Sequence, residues 1–221
     1  MPDQTVEDAG DLLLVEGLLR QQLPDQLVEH LAVLHEHVER LLVGGRDQAR
    51  DLLVDQGGGT FGVAAGLAHL HAHELTAPER ANLLVTGHSA GGYLTAALLA
   101  TDWAAAGLPA DPIRGAMPIS GVFRPAGLIH TTINAAVRLD AAEAAALALG
   151  ASPPRSRAAL TLVVGGDESA EFHRQSERLA ADWAVLRPRL VDAAGLNHFT
   201  VIDGLADPGS ALMADLLALG R

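Results

Sequence analysis

Two hydrophobic rhythms divide this chain. From Asp25 to Val43 the apolar residues fall at Leu27, Leu31, Leu34, Val38, Leu41 and Leu42, the spacing of one helix face. Asp25 suits the start of such a helix and Gly44-Gly45 its stop. Leu12 to Leu19 reads as a second helix, and no alternating strand pattern precedes Leu83. Beyond residue 60 short apolar runs alternate with helical stretches. Strands are predicted over Asn82–Thr86, Gly115–Ser120, Leu160–Val164 and Arg189–Asp192. Helices are predicted over Val63–Leu75, Ala90–Trp103, Glu171–Leu186 and Gly209–Leu219, with loop and Ala-rich helix over Arg124–Pro154. That alternation predicts an α/β fold with a mostly parallel sheet flanked by helices. Pro118 argues against a central place for its strand, unless it sits where no ladder bond is needed. There is no internal repeat.

Composition sharpens the division near residue 60. Residues 1–60 carry twelve acids against four arginines and hold no Ser, Asn, Ile, Phe, Trp or Tyr. They are read as an atypical helical segment, 61–221 as the α/β portion. A shifted reading frame over residues 1–60, or divergence of a truncated chain, would each produce such a break. The 221 residues fit one domain, or one plus an appendage, and half are apolar, enough for a sizeable core. A net charge of −12 argues against nucleic acid or an anionic membrane as partner. There is no cysteine, hence no disulfide, thiolate metal site or cysteine nucleophile. The acidic start does not suit a signal peptide, and no apolar run reaches about 18 residues. A cytoplasmic protein is therefore expected, with no membrane association. All fifteen basic residues are Arg, which suggests GC-rich coding.

The densest chemical signal is Gly87-His88-Ser89-Ala90-Gly91-Gly92, between the strand at Leu83–Thr86 and the helix from Tyr93. Strand, sharp turn with a serine at its tip, and helix make the G-x-S-x-G nucleophile elbow. The pattern's glycines, Gly87 and Gly91, are expected where the turn leaves no room for a Cβ. The helix start behind Ser89 would aim free N–H groups, that of Ala90 first, at a developing oxyanion. Alone the pattern is weak; the flanking strand and helix give it context.

A serine nucleophile needs a base, and the base an orienting carboxylate. In α/β-hydrolases they follow in the order Ser, acid, His at strand ends. Asp167 and Glu168 leave the strand at Leu160–Val164, and spacing favours Glu168, with Asp167 as the alternative acid. His198 leaves the strand at Arg189–Asp192 and is the candidate base. His88 reads as a packing or pocket residue. His69, His71 and His73 alternate, so a helix would spread them over different faces. No metal-ligand spacing occurs, so neither metal nor cofactor is expected.

These residues bring in a family. Gly87–Leu94 resembles the elbow of α/β-hydrolases of the arylformamidase (kynurenine formamidase) and carboxylesterase group. Pro118–Phe123 through Leu139–Ala144 resembles the group's strand and cap segment after the elbow. Glu168-Ser169-Ala170-Glu171-Phe172-His173-Arg174-Gln175-Ser176 is similar to its acid loop, where the acid is more often Asp, and Gly195–Phe199 to its histidine loop. The resemblance covers about residues 62–220. It implies acyl transfer by Ser89, Glu168 and His198 on an ester or aryl formamide such as N-formyl-kynurenine. His88, Phe123, His130 and Phe172 are candidates to line the substrate pocket, with core packing the alternative for both phenylalanines. The group's upstream strands and H-G-G oxyanion loop have no counterpart here. Gly57-Gly58-Gly59 lies too close to the elbow to be that loop and reads as a flexible linker.

The expected partner is thus a small ester or formamide; a homodimer is compatible with the sequence. The rival reading is a non-catalytic hydrolase remnant. Its Leu27, Leu31, Leu34 and Val38 would form a partner-binding stripe, unless they cover the domain's own sheet.

Overall fold

The computed structural model describes residues 58–151 and 153–221. The candidate helices at 12–19 and 25–43, their leucine stripe, and Gly57 lie outside the described residues. Gly58 and Gly59 do not form a linker: they begin helix α1 (Gly58–His69). That helix continues as a wider π-type turn, Leu70–Glu74. His69 and His73 share one face there, with ring centroids 4.9 Å apart, while His71 is buried.

The elements that follow are α2 (Ala77–Arg80), β1 (Leu84–His88), α3 (Ala90–Ala100) and β2 (Gly115–Ile119). Next come a 3-10 turn at Pro125–His130, α4 (Asn134–Val137), α5 (Ala141–Ala146) and β3 (Ala159–Gly165). The chain ends with α6 (Ala170–Asp182), a 3-10 turn at Ala184–Leu186, β4 (Arg189–Ala193), a 3-10 stretch at Thr200–Ala206 and α7 (Ala211–Ala218). The strands lie side by side in chain order, all parallel. Each strand and long helix predicted beyond residue 60 has a counterpart within a few residues. Among the described residues no strand precedes Leu84, and no helix is long and apolar enough to cross a membrane.

Period-two alternation sends side chains to both faces of the sheet. Ala116, Leu160 and Leu162 pack with Leu98, Leu99, Trp103, Leu179 and Trp183 under α3 and α6. Met117, Ile119 and Val163 face the opposite way, against Val201 and Leu219. The inner strands β2 and β3 are thus buried on both faces between helical layers, which explains why β3 is apolar along its length except at Thr161.

Pro118 occupies an inner strand after all. The β2–β3 register runs Ala116↔Leu160 and resumes at Ile119↔Val163. The Ser120 N–H donates to the Val163 carbonyl, and N–H directions alternate along a strand, so position 118 would also donate toward β3. Proline removes that donor, and the ladder is interrupted for one step.

Residues 121–154, between β2 and β3, are fastened at several points. The fully buried Gln175 on α6 accepts from the Arg124 N–H (2.8 Å) and donates to the Arg124 carbonyl (3.0 Å) and to Glu171 (2.7 Å). Arg124 pairs with Asp182. The Tyr93 hydroxyl on α3 donates to the Leu147 carbonyl (2.9 Å), and burial pushes its pKa up to about 12.

Candidate active site

Parallel strands place all four carboxyl ends at one edge of the sheet, and the chain turns there into loops that carry polar side chains. Ser89 follows β1 directly. Its backbone is strained, with φ 55° and ψ −115°, in a region that L side chains rarely adopt. Two main-chain bonds hold it: Ser89 N–H to the Ile119 carbonyl (2.9 Å) and Tyr93 N–H to the Ser89 carbonyl (3.1 Å).

The crowding is where the five-residue pattern puts it at Gly87 but not at Gly91. A Cβ on Gly87 would lie 2.5 Å from the Gly91 carbonyl oxygen, and one on Gly92 2.7 Å from the Ile119 carbonyl oxygen. A Cβ on Gly91 would meet nothing outside its own helix within 4 Å. The tight positions are Gly87 and Gly92, where β1 and β2 press on the start of α3.

Glu168 and Asp167 both leave β3, but they part at once. Asp167 is exposed. The Glu168 side chain is fully buried and makes three bonds. The Gly165 N–H donates to Oε1 (2.8 Å), Ser120 Oγ also donates to Oε1, and Oε2 meets His198 Nδ1 at 2.8 Å. Burial alone would raise the Glu168 pKa. The bonds from Ser120, Gly165 and His198 outweigh it and hold the carboxyl below its ordinary value.

His198 comes from beyond β4, at the other side of the described sheet from β1. Three strand spacings are about 14 Å, so the loop must lean over the end of β3 to reach Ser89. Gly165 and Gly166 leave the room: added Cβ atoms would lie 2.4 Å from the Leu196 carbonyl oxygen and 2.8 Å from Ala194 Cα. The Gly166 N–H bonds to the Ala193 carbonyl (2.8 Å) and the Asp167 N–H to that of Leu196 (3.0 Å). His198 Nε2 then stands 3.1 Å from Ser89 Oγ. A buried carboxylate on Nδ1 makes that nitrogen the donor and leaves Nε2 as the acceptor facing the serine.

Rings surround His198. Phe172 stacks on His198 at 4.5 Å, His88 lies at 4.5 Å with tilted planes, and Phe199 meets it edge-on at 5.7 Å. Burial and the neighbouring His198 lower the His88 pKa, against smaller opposing contributions from the His198 main chain and Glu168. Ala90 is exposed and opens α3, so its N–H lies in the first turn, where helix N–H groups have no partner in the helix.

The structure thus brings together Ser89, Glu168, His198, His88, Phe172 and the Ala90 N–H. Two expected pocket residues lie elsewhere. Phe123 is 1% exposed, packed into the core under α3 and α6. Its side chain turns inward because Gly121, which its ring crosses, leaves space there. His130 is exposed at the end of a 3-10 turn. Two residues were missed. Ser120 is fully buried against Glu168 at φ 50°; its signal was a small polar residue just past an apolar strand. Phe199, 79% exposed beside the His198 ring, stood in the sequence as the residue after His198.

A parallel sheet in a helical sandwich, with a serine elbow after one strand and the acid and histidine after two later ones, has the fold of an α/β-hydrolase. Comparisons place the chain near particular relatives. It is 30% identical over 148 residues to kynurenine formamidase of Danio rerio, covering 62% of this chain and 49% of that protein. It is 28% identical over 137 residues to kynurenine formamidase of Salmo salar, covering 57% and 45%. A crystal structure described as a thioesterase, from Silicibacter sp. TM1040, superposes with a TM-score of 0.60 at 31% identity, covering 72% of this chain and 57% of that one. No family model matches. The chain is related to α/β-hydrolases of the arylformamidase and esterase kind, and spans about half the length of the curated relatives it matches.

Proposed function

We propose that this chain acts as a serine hydrolase by acyl transfer to water. The observation that carries the reading is the unbroken path from Ser89 Oγ through His198 to the buried Glu168. Ser89 attacks a carbonyl carbon while His198 Nε2 takes the hydroxyl proton. Glu168 holds the ring in the correct tautomer and stabilises the imidazolium. The Ala90 N–H donates to the tetrahedral oxyanion. His198 then passes its proton to the leaving alcohol or amine, and water releases the acyl group by the same steps in reverse order.

The substrate is a carboxylic ester or an aryl formamide of the N-formyl-kynurenine type. The formamidase relatives support the second, and Phe172 and Phe199 beside the base offer apolar surface to an aryl group. A fluorophosphonate probe tests the class: it labels the protein covalently and fails to label Ser89→Ala. No labelling of folded wild-type protein refutes the reading and favours the non-catalytic remnant. Rates on p-nitrophenyl acetate and N-formyl-kynurenine then separate esterase from formamidase.

A further inference from the structure

A second concentration of charge lies at the other edge of the sheet. The segments that enter β1, β2 and β3 carry Arg80, Arg114 and Arg157, which stand four, one and two residues before the strands begin. Together they line one cleft of about 280 Å³. Ser89 and Glu168 follow the opposite, carboxyl ends of β1 and β3. Strands of five and seven residues put about 13–20 Å between the two edges, so the cleft is separate from the candidate active site.

Arginine in this chain has carboxylates to choose from. There are 27 acids against 15 arginines, and Arg124, Arg155, Arg174, Arg178 and Arg189 each pair with an Asp or Glu. Among the described residues the three arginines of the cleft have main-chain partners instead, or none. Arg80 donates through Nη2 to the Ala72 carbonyl (3.3 Å), while its Nε is buried with no acceptor among the described residues. Arg114 donates to the main-chain oxygens of Gly220 (3.2 Å) and Arg221 (2.9 Å). The carboxylate that shares the cleft is Asp111, and its neighbours engage it. Oδ1 accepts from Ser156 Oγ (2.6 Å) and Oδ2 from the Arg157 N–H (2.8 Å). The cleft is left with an excess of positive charge in a chain of net charge −12.

The frame beneath these charges is fixed by the sheet. The Arg114 N–H donates to the Leu83 carbonyl (2.9 Å), and its carbonyl accepts from the Ala159 N–H (3.0 Å). Asp111 holds the turn before β3 through Ser156 and Arg157. Like charges held on such a frame repel, and a cleft lined by one sign concentrates the other. A guanidinium presents its donors as a planar fork that fits the paired oxygens of a phosphate or a carboxylate. The unpaired Nε of Arg80 belongs to one of these forks, and leaving a buried donor so costs free energy.

We propose that this cleft binds a small oxyanion, a phosphate- or carboxylate-bearing molecule, through Arg80, Arg114 and Arg157. An occupant ties together the segments entering β1, β2 and β3 and so stabilises the fold. The site is independent of the chemistry at Ser89.

The test is thermal unfolding of the full-length protein at constant ionic strength. Chloride is exchanged stepwise for inorganic phosphate in one arm and for succinate in the other. Wild type should show a saturable rise in Tm in at least one arm, on the order of 3–5 °C at about ten times the dissociation constant. The arm that saturates at lower concentration identifies the ligand class. Arg157→Gln, at an exposed position, should raise the half-saturating concentration by about tenfold, and Arg114→Gln should act in the same direction. Arg187→Gln, an exposed arginine that does not line the cleft, should leave it within about twofold. A rise that never saturates in either arm overturns the proposal, as does wild-type saturation in Arg157→Gln. Equal weakening in Arg187→Gln marks a response to net charge alone and also overturns it. Fluorophosphonate labelling of the same variants keeps the two readings apart: a protein that binds the anion as expected but takes no label retains this site and loses the hydrolase reading.

Discussion

Ser120 donates its hydroxyl hydrogen to Oε1 of Glu168 from the end of the neighbouring strand. It can do so because the chain leaves β2 at φ 50°, which turns the side chain toward β3. Ser120→Ala leaves a buried carboxylate with one donor fewer. The expected cost is about 1–3 kcal/mol of stability, read by urea unfolding at pH 7. The Glu168 pKa rises, so the part of acid-induced destabilisation that Glu168 carries moves to higher pH.

Glu168→Gln keeps the shape and removes the charge. An amide can present its NH₂ to Nδ1 and favour the wrong tautomer of His198. With an active wild type, kcat should fall by about 10⁴-fold, and fluorophosphonate labelling should slow in step. Asp167→Asn, at an exposed position, should change neither by more than about twofold.

The elbow glycines make unequal demands. Gly87→Ala and Gly92→Ala drive a methyl into main-chain atoms at 2.5 and 2.7 Å and should yield protein with a markedly lower Tm, or none. Gly91→Ala meets open space and replaces a poor helix former with the best one. It should hold or raise stability, by up to about 1 kcal/mol. A Gly91→Ala protein as unstable as the other two contradicts this geometry.

Acid should weaken the fold in two stages. The His88 pKa is lowered in the folded state, so the unfolded chain binds the proton first. This contribution is present above the ordinary histidine value of 6.5 and is lost as pH falls below it. The Glu168 pKa is also lowered. Its contribution is present above the unfolded value and lost as pH falls through the folded one, so it acts at lower pH. Tm measured from pH 8 to pH 4 should decline in wild type, and His88→Phe should remove the earlier part of that decline.

Gln175 is the bolt of the segment between β2 and β3. Gln175→Leu strands the Arg124 N–H and carbonyl that it now satisfies. It should cost about 2–3 kcal/mol, and amide exchange over residues 121–154 should accelerate before that of β3. Exchange that accelerates uniformly over both argues against a separately latched segment.

Much of this architecture was legible because it follows period and punctuation. The strands at Leu84, Gly115, Ala159 and Arg189 announce themselves as apolar runs, and Ser89, Glu168 and His198 stand just past three of them. What was not legible depends on which way a side chain turns. Phe123 and Phe172 are both aromatic residues beyond strand ends, yet one folds back over Gly121 into the core and the other stacks on the base. Ser120 owes its role to a backbone angle that local sequence does not encode strongly. Pro118 leaves open whether its strand is central, and the answer is non-local: β2, held on both sides, tolerates the loss of one donor. The pattern G-x-S-x-G rightly marks Gly87, but for its second glycine it directs attention to Gly91, whereas the contact from Ile119 on β2, a non-local pairing, falls on Gly92.

Ser89 and His198 meet at 3.1 Å across 109 positions of chain. Three successive crossovers must finish before they can touch, and no shorter stretch of the sheet contains both. Reactivity at Ser89 is therefore a stopwatch for assembly: after dilution from denaturant, a probe that captures the activated serine reports the moment the last strand docks, while backbone signals report only that strands exist.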